Sequence, residues 1–548
     1  MGQKSMLKQA FILTAGNIIS RFLGLIYVFP FAWLVGQEGQ ALFSYAYVPY
    51  VIFIDLATLG VPLGVSKFIS IYNAQNDYLT SYKIFKKSTI LMLIIGVFMF
   101  LMMFLLSKPI AYQVLGGKTE LINNIHDVTL VIRVISTALI VVPSIALLRG
   151  FFQGFKLARP TAMSQIIEQL TRVVFIILSA FIIVKLLNQK YTLAIYFAVS
   201  SATIAALSAY VVLRVQLHKF FSTLNPLLKT SVVSHQKSTY QLFKELFKYA
   251  LPIAIFGIVS SLYLFIDTLT FNKAYLLKGV NNSEIIYGTY AFEINKLIMI
   301  PVSLGMGLGV SMLIYISESY TKKHYQMVNK QINKVLQTCT YIIVPIIIIM
   351  MIFPKAVYSL FYQASNPYGS RILLSFAPVA ILLCFNHITN ATMQGINKQR
   401  YLIISMIIGV CIKYLYNESL IQALGYNGAI LSTTIGLLTT ILINIFVMKY
   451  SIKFHHLYIT RRLVSIFGLN IILGSLFYLM NFIVFQFDLN FDSRLNCFTF
   501  LLINSVVYTI IYLLISYITG LLDVITGREF KLKKILIGLR NKYVTNIL

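Results

Sequence analysis

Residues 149–172 read RGFFQGFKLARPTAMSQIIEQLTR and lead into the apolar run VVFIILSAFIIVKLL. Glu168 and Arg172 stand four residues apart, and so on one face of a helix. Charge in hydrocarbon is costly, so an ionisable residue there marks either a structural pair or a functional site. The same reasoning selects Arg21, Asp55, Asp267, Glu293, Lys296 and Lys413, each inside an apolar stretch. At about 1.5 Å per residue, Arg172 lies roughly 18 Å into its helix, and Arg21 and Lys413 reach similar depth. Asp55 is mid-way along its run, Asp267 nearer one end, and Glu293 and Lys296 share a face. Surplus positive charge suits an anionic ligand, and the planar guanidinium fork suits phosphate. Glu168 and Arg172 also admit the plainer reading of an internal ion pair. Arg133 and Arg149 fall near opposite ends of one run and are expected to reach the interfaces as structural residues.

The elements that position these charges follow from composition. Of 548 residues, 58% are hydrophobic and 11% charged. Apolar runs of about 20 residues recur along the chain, the length that crosses about 30 Å of hydrocarbon. They predict an all-α integral membrane protein with fourteen spans, at roughly 10–35, 42–66, 88–112, 128–152, 161–186, 191–213, 248–271, 287–316, 335–357, 371–394, 401–419, 427–448, 462–486 and 498–522. The first has no small-residue cleavage site after it and is expected to stay as an anchor.

Forty-five bases against 16 acids give a net charge of +29. With a cytoplasmic N-terminus, 30 of the bases fall in inner segments and 9 in outer ones, the remaining 6 being within spans. The positive-inside rule therefore places both termini in the cytoplasm. The bilayer accounts for the bases, and no nucleic-acid partner is implied. Cys339, Cys384, Cys411 and Cys497 stand singly, without the spacing of a disulfide framework or a zinc site. No GxxxxGK[ST], HExxH or GxSxG motif is present. The longest loop, about 214–247, holds no catalytic domain. The chain therefore reads as a transporter rather than an enzyme, a membrane-bound transferase being the remote alternative. No metal or organic cofactor is implied. A monovalent cation or the membrane potential is left to drive the cycle, with Asp55, Asp267 and Glu293 as candidate coupling acids.

The chain also contains itself twice. LGVPLGVS (59–66) returns as LGMGLGVS (304–311), and FFQGFKLAR (151–159) as TMQGINKQR (392–400), at offsets of 245 and 241. At the second offset Arg172 falls on Lys413. Spans 1–6 then map onto spans 7–12 in the same direction, the parallel-repeat plan of transporters with a substrate site between two lobes. The expected domains are an N-lobe at 1–240, a C-lobe at 241–450, spans 13–14 at 451–523 and a basic cytoplasmic tail at 524–548.

Four segments carry a family resemblance: AGNIISRFLGLIYVFPF in span 1, TLGVPLGVSKFISIYNA around the end of span 2, RGFFQGFKLARPTAMSQIIEQLTR across spans 4 and 5, and MQGINKQR after span 10. From about residue 8 to 522 the chain resembles the multidrug/oligosaccharidyl-lipid/polysaccharide exporter superfamily. Within it, the likeness is to the polysaccharide-biosynthesis branch of MurJ-type lipid II flippases and stage V sporulation protein B. The resemblance implies two six-helix lobes around a cation-lined cavity for a diphosphate head group, with spans 13–14 holding the polyprenyl tail. It implies outward transport of lipid II across the cell membrane, alongside other cell-wall synthesis proteins. A flippase for another polyprenyl-linked glycan, such as a capsule or teichoic-acid unit, and a multidrug exporter are the alternatives. Arg21, in SRFLG, takes the place of a cavity arginine. Where better-known Gram-negative members carry another arginine, this chain has Tyr27, and Arg172, Lys296 and Lys413 are expected to compensate, with Glu168 supporting Arg172.

Overall fold

The computed structural model describes residues 28–526 apart from 59, 119–120, 232–237, 281, 455–456 and 485–492, together with scattered residues between 9 and 27. Arg21 and the tail at 527–548 lie outside the described residues. No strand occurs among those described. The helices are α1 (Val28–Thr58), α2 (Val61–Ala74), α3 (Tyr78–Val114), α4 (Ile125–Ser136), α5 (Val142–Gly154), α6 (Ala158–Phe181), α7 (Tyr191–Lys229), α8 (Thr239–Leu277), α9 (Ser283–Gly288), α10 (Asn295–Thr321), α11 (Tyr325–Ile352), α12 (Pro354–Phe361), α13 (Gly369–Phe376), α14 (Val379–Gly395), α15 (Gln399–Leu424), α16 (Tyr426–Ile452), α17 (Leu457–Val484), α18 (Arg494–Ile518) and α19 (Leu521–Thr526). A 3₁₀ turn (Thr137–Ile140) joins α4 to α5, and a π-helical turn (Thr289–Ile294) joins α9 to α10.

Among the described residues, eleven helical segments are long and apolar enough to cross a membrane, or twelve if α13 and α14, bent by 43°, count as one. The difference from the expected fourteen has a local origin. Spans 1 and 2 fall in one 53-residue segment, Phe22–Ala74. Span 7 lies within α8. The 53-residue segment is not a straight rod, because two glycines break it. Gly36 adopts φ 66°, ψ −177° in the gap expected between spans 1 and 2. There the Gln40 amide donates to the carbonyl of Ala32, capping a group the break sets free. Gly60, at φ 65°, ends α1 and starts α2. A Cβ at Gly60 would come within 2.5 Å of the Ala250 carbonyl oxygen, so only glycine allows α8 to dock here. Span 2 is thus a broken helix. The echoed segment 304–311 lies inside the continuous α10.

By its internal packing the chain divides into two compact units, residues 1–297 with 399–440, and residues 298–398 with 441–548. In the first, Val61, Val65, Phe85, Met92, Leu148, Phe151, Ala209 and Leu246 belong to one buried core built from α2, α3, α5, α7 and α8. Phe151 lies 4.2 Å, centroid to centroid, from Phe85. Ala194, Ala198, Ala202, Ala205 and Ala209 recur every three or four residues and are buried on one face of α7. Small residues let membrane helices approach closely, and α6 packs along α7. This close packing fixes the backbone that carries Glu168 and Arg172. In the second unit, Tyr341, Ile466, Leu473, Phe477, Tyr508 and Tyr512 form a core that docks α17 and α18 on α11. Tyr508 donates to Asn470 Oδ1 at 3.0 Å and Tyr512 to the Tyr341 carbonyl at 3.1 Å.

Candidate functional site

The α5–α6 hairpin turns at Phe155–Leu157, and the turn brings Arg149 on α5 beside Ser164 and Glu168 on α6. Arg149 Nε donates to Ser164 Oγ at 2.9 Å, and its terminal nitrogen donates to Glu168 Oε2 at 2.8 Å. Ser164 Oγ in turn donates to the Thr161 carbonyl at 2.8 Å. Arg172 donates to the other carboxylate oxygen, Glu168 Oε1, at 2.9 Å. Glu168 therefore bridges two arginines, one on each oxygen, and the trio carries one net positive charge. The side chains of Arg149, Glu168 and Arg172 are only 19%, 16% and 14% exposed.

Arg149 was expected at the interface; it is instead half of the counter-charge of Glu168, because the hairpin turn folds it back onto α6. Arg133 is likewise held, with Nε donating to Ser107 Oγ at 3.0 Å and its guanidinium 4.8 Å from the Phe104 ring.

Arg172 keeps hydrogen-bonding capacity in reserve. Among the described residues its Nε is buried without a partner, as are Gln165 Oε1, Gln169 Oε1 and Tyr50 Oη. Tyr27, Tyr47 and Tyr50 lie within electrostatic reach of its guanidinium. Tyr27, which stands where better-known Gram-negative members carry an arginine, is thus within electrostatic reach of Arg172. Lys296 extends its ammonium to 5.8 Å from the Tyr47 ring, within cation–π range. Tyr47 so neighbours two of the expected cations.

Lys413 has a different environment. Its Nζ donates to both carboxylate oxygens of Asp267, at 2.8 and 2.9 Å, and to Thr433 Oγ1 at 2.5 Å. An ammonium has three donors, and all three are engaged. Asp267 also accepts from Asn417 Nδ2 at 3.0 Å and from Tyr290 Oη at 2.9 Å. Asn417 Oδ1 accepts from Ser432 at 2.5 Å. Lys413 is 0% and Asp267 2% exposed. Two residues chosen for separate roles, a substrate cation and a coupling acid, neutralise each other. Nothing of Lys413 is presented to a ligand in this conformation.

Asp55 accepts a 2.6 Å hydrogen bond from Ser261 on α8, one turn before the break at Gly60. Glu293 is buried in the π-helical turn. One further acid, Glu284, escaped sequence reasoning. It accepts from the backbone N–H of Asn123 at 2.9 Å and from its side chain at 3.1 Å. No local pattern links residues 161 positions apart.

A model of the polysaccharide biosynthesis protein family matches residues 6–312, and the MatE family model matches residues 252–418. The lipid II flippase MurJ of Bacillus subtilis (strain 168) is 36% identical over 528 residues, 96% of this chain and 97% of that protein. The chain belongs to the polysaccharide biosynthesis protein family, in its MurJ-type branch. Stage V sporulation protein B of the same organism is a more distant relative, 22% identical over 81% of this chain and 83% of that protein. Two solved structures share the fold with a TM-score of 0.64. One is a lipid II flippase MurJ in an inward closed conformation, at 14% identity, covering 92% of this chain and 98% of that one. The other is an inward-facing MATE multidrug transporter of the MOP superfamily, at 16% identity, covering 81% and 98%. The polysaccharide biosynthesis match covers the Arg149–Glu168–Arg172 trio, and the MatE match covers the Asp267–Lys413 pair.

Proposed function

We infer that the chain is a flippase that moves lipid II, the lipid-linked peptidoglycan precursor, from the inner to the outer leaflet of the cell membrane. The observation that carries this reading is the 36% identity to a lipid II flippase across 96% of the chain. The cycle is alternating access between a cytoplasmic-open and an outward-open form, with both termini in the cytoplasm. Two lobes, 1–240 and 241–450, rock about a site to which Arg172 and Lys296 contribute. Spans 13–14 hold the polyprenyl chain.

Arg172 meets the diphosphate. Its Nε lacks a partner, and a phosphate oxygen supplies one. Lys296, within cation–π range of Tyr47, adds a second charge. Lys413 serves as the internal counter-ion of Asp267. Of the candidate coupling acids, Asp55 is then the better placed to take a proton or a monovalent cation, since its carboxylate accepts from the neutral Ser261 hydroxyl. One elementary charge moved through 100 mV is worth about 2.3 kcal/mol, enough to bias such a cycle.

The test is depletion of the protein in its own cell with lipid II assayed on each leaflet separately. Loss of outward-facing lipid II supports the reading. Outward lipid II that persists while another polyprenyl-linked glycan disappears overturns it.

A further inference from the structure

We propose that Arg149 is a positioning residue for transport: by occupying one oxygen of Glu168 it prevents Glu168 from closing a two-point pair on Arg172, and so keeps the guanidinium fork of Arg172 free for the diphosphate. The proposal rests on the reading of Arg172 as the diphosphate contact, and extends it to a residue that does not touch substrate.

The geometry carries the argument. A carboxylate facing a single arginine closes into a fork-on-fork pair with two parallel hydrogen bonds. Glu168 and Arg172 are one helical turn apart and well placed to do so. They do not. Oε2 is taken by Arg149 at 2.8 Å, and Arg172 is left with a single bond to Oε1 at 2.9 Å and with Nε unpartnered. Arg149 is itself fixed at a second point, since its Nε is locked on Ser164 Oγ, whose own proton goes to the Thr161 carbonyl. The hydroxyl orientation is therefore determined, and Arg149 cannot swing away without losing both bonds.

The charge balance points the same way. With Arg149 in place the trio is +1, and withdrawing Arg172 onto a diphosphate leaves a neutral Arg149–Glu168 pair behind. Without Arg149, the same movement leaves a bare carboxylate in a poorly hydrated site, which is strongly unfavourable. Arg149 thus makes the release of Arg172 reversible at low cost.

The experiment uses the full-length protein in lipid nanodiscs and a fluorescent polyprenyl diphosphate as probe, with thermal unfolding of each variant alongside. Arg149→Gln is expected to weaken probe binding about tenfold, the worth of one charge-assisted hydrogen bond. Arg149→Lys retains most binding, because an ammonium still occupies Oε2. Arg149→Gln combined with Glu168→Gln restores binding, since no carboxylate remains to capture Arg172. A purely structural clamp between α5 and α6 predicts instead that stability and binding fall together and that the double variant is no better. Should Arg149→Gln fail to insert, Glu168→Gln alone decides: the proposal predicts binding at least as tight as the parent, and a tenfold loss overturns it. Arg172→Gln separates the two layers. If it leaves binding intact, the diphosphate reading fails. If it abolishes binding while Arg149→Gln matches the parent, only the role of Arg149 fails.

Discussion

Arg172 and Lys413 are related by the internal offset of 241, yet their surroundings are opposite in kind. Arg172 shares its carboxylate with a second arginine and keeps a buried donor without a partner. Lys413 has a carboxylate to itself, and a threonine besides, and no donor to spare. Both are cations deep in apolar helices, so hydropathy cannot tell them apart. What distinguishes them is whether the protein has satisfied them. A saturated buried pair holds helices together; an unsaturated cation is available to a ligand. At positions related by one offset, the charge is the same and its hydrogen-bond partners are not.

The largest effect that sharpens this contrast is on stability. Lys413→Ala strands Asp267 in a buried site and is expected to cost ~3–5 kcal/mol, read as a large fall in unfolding temperature and in folded yield. Next comes Thr433→Val, which leaves one Lys413 donor unsatisfied and is expected to cost ~1–3 kcal/mol by the same measurement. Arg172→Lys should behave differently, with an unfolding temperature near that of the parent and export reduced about tenfold, because the charge is kept and the fork is lost. The smallest effect is expected from Ser164→Ala, about 1 kcal/mol or less, which loosens Arg149 and lowers export slightly. Equal losses of stability from Arg172→Lys and Lys413→Ala would break the distinction.

Much of the scaffold was legible because hydrophobic runs and the bilayer thickness leave few choices. The break at Gly36 fell in the gap predicted between spans 1 and 2. The break at Gly60 falls inside expected span 2: LATLGVPLG reads as part of one continuous run, although its Gly60 and Pro62 are residues that permit bending. The Glu168–Arg172 pairing was visible from its i,i+4 spacing. Arg149 was not, since its approach depends on the turn at Phe155–Leu157 and its sequence position alone suggested an interface. Asp267 and Lys413 are 146 residues apart, and no local pattern pairs them. Single-sequence reasoning found the buried charges one at a time. Assigning each its counter-ion needed the packing of α8 against α15 and of α5 against α6.

The central claim is that the Lys413 pair is structural and the Arg172 site contacts substrate. It is tested most directly by neutralising both in parallel and measuring outward lipid II translocation, with membrane levels matched. Asp267→Asn with Lys413→Met removes a satisfied pair and leaves no bare charge, so translocation is predicted to stay near the parent level. Glu168→Gln with Arg172→Gln also leaves no bare carboxylate, but removes the phosphate contact, and translocation is predicted to be lost. The reverse pattern, or near-normal translocation by the second double variant, would contradict the account.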